Sequence, residues 1–169
     1  MRRNDLRGRF TNDVKTPSKS FSTALHLVSR RDYTTAELKD RLVAKGYEEH
    51  DADDTVRALV TDGTLDDRRV AAAHVRTAGR VKGRGRLRIL RELQARGIDR
   101  DLARELVGEV DADDEANSIG RILLKRRVPR RPGPEDRRKI FQHLLRRGFP
   151  ADAISKALRK HREDVDDST

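Results

Sequence analysis

The chain has 169 residues, 40% charged and 34% hydrophobic, with a formal net charge of +10 and no cysteine. That length suits one ordinary domain or several small units, and so polar a composition implies a thin or elongated fold with little deep interior. Excluded are a membrane-spanning helix, a disulfide scaffold, a thiol nucleophile and every cysteine-ligated metal site; the charged start reads as no secretory signal, so the expected location is the cytoplasm.

Residues 1–20 set Arg2, Arg3, Arg7, Arg9, Lys15 and Lys19 against Asp5 and Asp13, with few apolar groups, and read as a basic disordered arm. An apolar stretch over 24–28 predicts a first helix. Leu38 and Leu42, one helical turn apart, predict a second that stops at Gly46, because glycine accepts the left-handed conformation that closes a helix. Ala52, Val56 and Leu59 mark a third. The same order recurs with an apolar stretch over 70–75, then Ile89 and Leu93 up to Gly97, then Leu102, Leu106 and Val110. It recurs again over 119–124, then Ile140 and Leu144 up to Gly148, then Ile154 and Leu158. Alternating β-branched runs are absent, so no strand competes.

The recurrence has a fixed period. Leu38, Ile89 and Ile140 stand 51 residues apart, and so do Leu42, Leu93 and Leu144, the three glycines, and Tyr47, Ile98 and Phe149. The first helices do not keep that interval, so the linkers ahead of the matched blocks must vary. The expected fold is all-α. Three tandem three-helix repeats, 21–64, 65–112 and 113–161, form an elongated array, and 162–169 form a frayed tail. A unit this small is marginal alone, so neighbouring repeats are expected to share interfaces.

Charge follows the repeat. Residues 80–96 carry seven basic side chains and one acidic, and residues 121–147 carry eleven and two. Residues 47–69 carry three basic and eight acidic, and residues 99–115 carry two and eight. A net basic balance points to an acidic partner, nucleic acid ahead of anionic membrane. On a helical wheel Arg84, Arg88 and Arg91 face away from the apolar arc around Ile89, as Lys139 and Arg146 do around Ile140. A basic face on the middle helices is expected. The third helix of the first unit instead opens with Asp51, Asp53 and Asp54, which disfavours a groove-reading helix-turn-helix mode.

No residues combine into a catalytic set. His26, His50, His74, His143 and His161 lack the spacing of a helical zinc site, and no metal or cofactor is expected. Asp66-Asp67 stands directly before the apolar run at Val70 and reads as a helix start rather than an acid/base pair. Gly83-Arg84-Gly85-Arg86 lacks the Lys-Ser/Thr ending of a phosphate loop and reads as a basic connector. Ser18, Ser20, Ser22 and Ser29 have no base in motif range. The chain reads as a binding protein, not an enzyme.

Several stretches together resemble the RecX regulatory proteins. They are Arg31-Asp32-Tyr33-Thr34-Thr35-Ala36-Glu37-Leu38 with Lys45-Gly46-Tyr47, and Asp62-Gly63-Thr64-Leu65-Asp66-Asp67-Arg68-Arg69-Val70-Ala71 with Val75-Arg76. Lys82-Gly83-Arg84-Gly85, Glu92-Leu93 with Arg96-Gly97-Ile98, and Leu145-Arg146-Arg147-Gly148-Phe149 follow in the family's order. Val70, where the family usually has an aromatic, and Arg86, where proline is common, depart from the pattern. The resemblance implies a curved array and a function that composition does not give: binding the RecA recombinase filament on DNA and damping its growth, strand exchange, ATP hydrolysis and co-protease activity. The expected DNA- or filament-binding face comprises Lys82, Arg84, Arg86, Arg88 and Arg91, with Arg126, Arg127, Arg130, Arg131, Arg138, Lys139, Arg146 and Arg147. Asp51, Asp53 and Asp54 form the expected acidic partner face. Expected partners are the recombinase and single- or double-stranded DNA without sequence preference, bound by a monomer, with no membrane. The second reading is an independent, non-sequence-specific DNA-binding or architectural protein, for which the basic stripe alone suffices.

Overall fold

A computed structural model describes residues 18–110, 112–129 and 131–163, so residues 1–17 of the expected 1–20 arm, Arg130, and 164–169 of the expected 162–169 tail lie outside it, while 18–20 cap and open the first helix and 162–163 end the last. The described residues form α-helices α1 (Lys19–Val28), α2 (Thr35–Val43), α3 (Glu49–Thr61), α4 (Asp67–Arg76), α5 (Arg86–Ala95), α6 (Arg100–Gly108), α7 (Ala112–Lys125), α8 (Pro134–Arg146) and α9 (Ala151–Glu163). A π-helical turn, Thr77–Val81, extends α4, and no strand occurs among these residues. The all-α, three-by-three order is the one the period predicts.

Local chemistry explains the helix ends. Thr34 and Glu37 form a capping box at α2: the Thr34 hydroxyl accepts the Glu37 N–H, and the Glu37 carboxylate accepts the Thr34 N–H. Asp66 and Asp99 cap α4 and α6 by accepting backbone N–H groups with their carboxylates. Each middle helix closes on its glycine, with φ of +91° at Gly46, +75° at Gly97 and +87° at Gly148. The next residue then donates its N–H back to the carbonyl five positions earlier: Tyr47 to Leu42, Ile98 to Leu93 and Phe149 to Leu144. Helix α7 ends the same way, Val128 donating to Leu123, but with Arg127 at φ +51° in the glycine position.

Each repeat has its own core rather than a share of one. Leu38, Leu42 and Leu59 are buried with Ala24 and Tyr33 in repeat 1. Ile89, Leu93 and Ile98 are buried with Val75 and Leu106 in repeat 2, and Leu144, Phe149 and Ile154 with Ile119 and Leu123 in repeat 3. Full burial of one such side chain contributes roughly 1.5–3 kcal/mol. One matched position of the period, Leu42, Leu93 and Leu144, is fully buried in all three repeats.

The repeats join through the ends of their middle helices. At the first joint the Thr34 hydroxyl donates to the Arg96 carbonyl at 2.7 Å, and Arg96 pairs with Glu37 through Nε at 2.8 Å and Nη2 at 2.9 Å. Asp67, opening α4, accepts the Thr35 N–H and the Thr35 hydroxyl, both at 2.8 Å. At the second joint the N–H groups of Gly85 and Leu87 donate to the carbonyls of Arg147 and Gly148 at 2.9 and 3.0 Å. Glu115 of α7 takes the part of Asp67 there, accepting the Arg86 N–H at 3.3 Å. A Cβ on Gly85 would lie 2.3 Å from the Phe149 nitrogen, so this approach requires glycine.

Candidate nucleic-acid and partner interface

The expected basic face divides in two. Arg84 is not part of α5; it sits in the loop before it, so the helical wheel does not describe it. Its Nη1 folds back onto Glu92 at 2.6 Å, and Arg88, one turn before Glu92, donates to the same carboxylate at 2.9 Å. His74 of α4 completes the cluster at 3.0 Å. Burial raises the Glu92 carboxyl, but the hydrogen bonds from Arg88, His74 and Arg84 outweigh it and hold the group below the usual carboxylate range. Arg147 is likewise turned inward: its Nε donates to the Gly83 carbonyl at 2.8 Å, and Nη2 to the Lys82 carbonyl. Arg84 and Arg147 hold the basic connector against α5 and α8, while Arg88 pairs with Glu92 within α5.

The remaining cations are exposed, two of them beside acids: Arg86 Nε lies 3.9 Å from buried Glu115 and Lys139 Nζ 3.9 Å from Glu135. Lys82, Arg86 and Arg91 are exposed on repeat 2, Arg91 with its Nε on the Leu87 carbonyl at 3.2 Å. Arg126, Arg127, Arg131, Arg138, Lys139 and Arg146 are exposed on repeat 3. Arg126 lies 3.3 Å from the His143 ring, whose pKa is pushed down by burial and by Arg126, Arg147 and Arg146, leaving the imidazole neutral at neutral pH. The acids of α3 are partly spoken for. Asp53 and Glu49 clasp Lys39 at 2.8 and 2.9 Å, Asp54 pairs with Arg57 at 2.9 Å, and exposed Asp51 lies 3.3 Å from the His50 ring. A helix with that opening repels phosphates.

Three features of the site escape sequence reasoning: the inward turn of Arg147, the Arg96–Glu37 pair and the acceptor role of Asp67. One signal does point to the first two. A basic residue precedes each matched glycine, Lys45, Arg96 and Arg147, in the same 51-residue register. Among the described residues no helix is long and apolar enough to cross a membrane, and no cluster of three or more His, Asp or Glu side chains could hold a metal ion.

Residues 21–59, 66–106 and 121–158 match, in order, the first, second and third three-helix domains of RecX. The chain belongs to the RecX family. It is 32% identical over 160 residues to the regulatory protein RecX of Bacillus licheniformis, covering 94% of this chain and 60% of that longer protein. It is 32% identical over 151 residues to RecX of Trichlorobacter lovleyi, covering 85% and 96%, and 38% identical over 145 residues to RecX of Xanthomonas axonopodis pv. citri, covering 83% and 86%. The fold matches the crystal structure of RecX from Lactobacillus salivarius with a TM-score of 0.78 at 23% identity, covering 85% of this chain and 95% of that one. The all-α repeat architecture read from the period is thus that of RecX, and the relatives' names mark regulatory proteins.

Proposed function

We propose that this RecX protein binds the RecA recombinase filament on DNA and restrains its growth, lowering strand exchange, ATP hydrolysis and co-protease activity. What carries the reading is family membership across all three repeats, joined to a surface with basic and acidic parts held apart. Exposed Lys82, Arg86 and Arg91, with the cations of α7, α8 and the segment between them, follow phosphates. Asp51 and Asp54, the acids of α3 not clasped by Lys39, meet basic loops of the recombinase. In this reading Arg84 and Arg147 act through the connector they hold. The protein performs no chemistry of its own, so purified material should lack ATPase and nuclease activity.

The second reading, an independent DNA-binding or architectural protein, rests on the exposed cations alone. Co-sedimentation with purified recombinase, with and without single-stranded DNA, separates the two. The filament reading expects retention that rises when recombinase is assembled on DNA. Retention by DNA alone, unchanged by recombinase, supports the second reading.

A further inference from the structure

Three histidine rings have an acceptor beside them: His50 has Asp51, His74 has Glu92, and His161 has the Val128 carbonyl. The ring of His143 has a guanidinium instead. Arg126 Nη1 lies 3.3 Å from its Nε2 and 3.4 Å from its Nδ1. A nitrogen that is equally far from both ring nitrogens lies on the hydrogen-bonding axis of neither, so both remain available to a ligand.

The surroundings are of one sign. Arg146 and Arg147 follow His143 at the end of α8, and among the described residues the charges that bear on the ring are those two arginines and Arg126. Helix α9, which also packs on α8, brings none to bear. The ring is half-buried, while Arg126 and Arg146 are exposed. Arg147 reaches the Lys82 and Gly83 carbonyls, so the cluster adjoins the connector that carries exposed Lys82. One influence runs the other way: His143 lies in the last turn of α8, where the negative end of the helix favours a cation. Burial and three guanidinium groups keep the ring neutral, and a bound anion would offset them.

We propose that Arg126, His143 and Arg146 form a phosphate-binding site in which the imidazole takes up a proton from solvent as a backbone phosphate of the nucleic acid docks. The site rests on the reading that repeat 3 follows DNA, and it adds a ligand that responds to pH. A phosphodiester brings one negative charge, and its oxygens accept from both arginines and from the imidazolium, whose two ring nitrogens are then donors. A ligand whose binding takes up one proton binds up to about tenfold more tightly for each unit of acidification while the free ring is neutral.

The test is the affinity for oligothymidylate, measured by anisotropy at fixed ionic strength at pH 8 and at pH 5.5, the range in which histidine titrates. Neither thymine nor a phosphodiester changes charge between those values. Wild type should bind at least about fivefold more tightly at the lower pH. His143→Gln keeps a hydrogen-bonding side chain but cannot titrate, and it should lose most of that rise. His26→Gln, an exposed position on α1, should retain it. NMR titration of the imidazole signals should show the His143 pKa rising when oligothymidylate is added. An equal rise in affinity for wild type and His143→Gln, with a His143 pKa that oligothymidylate does not move, would overturn the site and leave DNA binding by the exposed cations intact. Absence of oligothymidylate binding by wild type at both pH values would overturn the DNA reading, and this site with it.

Discussion

Arg96 grips both carboxylate oxygens of Glu37, at 2.8 and 2.9 Å, across 59 positions of sequence. The pair links the end of α5 to the capping box of α2, so one carboxylate serves a helix start and a repeat joint together. Glu37 is held below the usual carboxylate range by the Arg96 hydrogen bond first, against burial, with help from the Thr34 N–H.

Replacing Arg96 with Ala should therefore destabilise the array by about 1–2 kcal/mol, between the values for exposed and buried pairs. The same pair sets an acid dependence. Because the folded-state pKa of Glu37 is depressed, its contribution is full above the unfolded value, about 4.3, and is lost as pH falls through the folded value. Chemical denaturation at pH 7 and at pH 3 checks this. Wild type should lose more stability between the two than Glu37→Gln, which has no carboxylate to protonate at that position.

Gly46 and Gly148 form a natural control for one another. Both have positive φ, so an alanine costs about 1 kcal/mol at either from backbone strain. Only Gly148 faces a neighbour, with Arg88 Cβ at 2.3 Å and its nitrogen at 2.5 Å from the added methyl position. Gly148→Ala should lower the denaturation midpoint clearly more than Gly46→Ala. Matching midpoints would mean that the second joint is looser than this geometry.

Arg127 occupies the left-handed position that glycine fills elsewhere in the array. Arg127→Gly should stabilise the protein by about 0.5–1 kcal/mol, through relief of that backbone. It should also weaken DNA binding if the exposed guanidinium meets a phosphate. Thermal melts and DNA anisotropy on one preparation read both effects.

Much of this molecule is legible in its sequence because its period is carried by core residues. Ile89 and Leu93 are buried for the reason their spacing suggests, and Gly97 closes the helix where the pattern stops. Charge placement is less legible. The helical wheel sets Arg84 beside Arg88 and Arg91, yet Arg84 lies outside the helix and bends onto Glu92. A wheel reports direction from a helix axis, not what a long side chain finds nearby. Arg147 illustrates the same limit: adjacent to exposed Arg146, it turns to carbonyls more than sixty residues away in sequence. Separate cores are illegible for another reason, since period alone does not say whether repeats meet through apolar faces or helix ends.

The exposed and inward arginines should behave differently on DNA. Converting Lys82, Arg91 and Lys139 to Ala should weaken binding without regard to base sequence. The log–log salt slope should fall by about 0.7–0.9 for every phosphate that is no longer neutralised. Converting Arg84 and Arg88 should instead act first on stability, because Glu92 is left without two of its partners. Anisotropy at several salt concentrations, beside denaturation curves, separates the two sets.

Restraint of the recombinase is tested most directly by the DNA-dependent ATPase of RecA, titrated with this protein. Wild type should lower ATP hydrolysis progressively. The variant carrying Asp51→Lys and Asp54→Lys should inhibit more weakly, at undiminished affinity for DNA alone. ATP hydrolysis that stays constant while the protein demonstrably occupies DNA would contradict the filament reading.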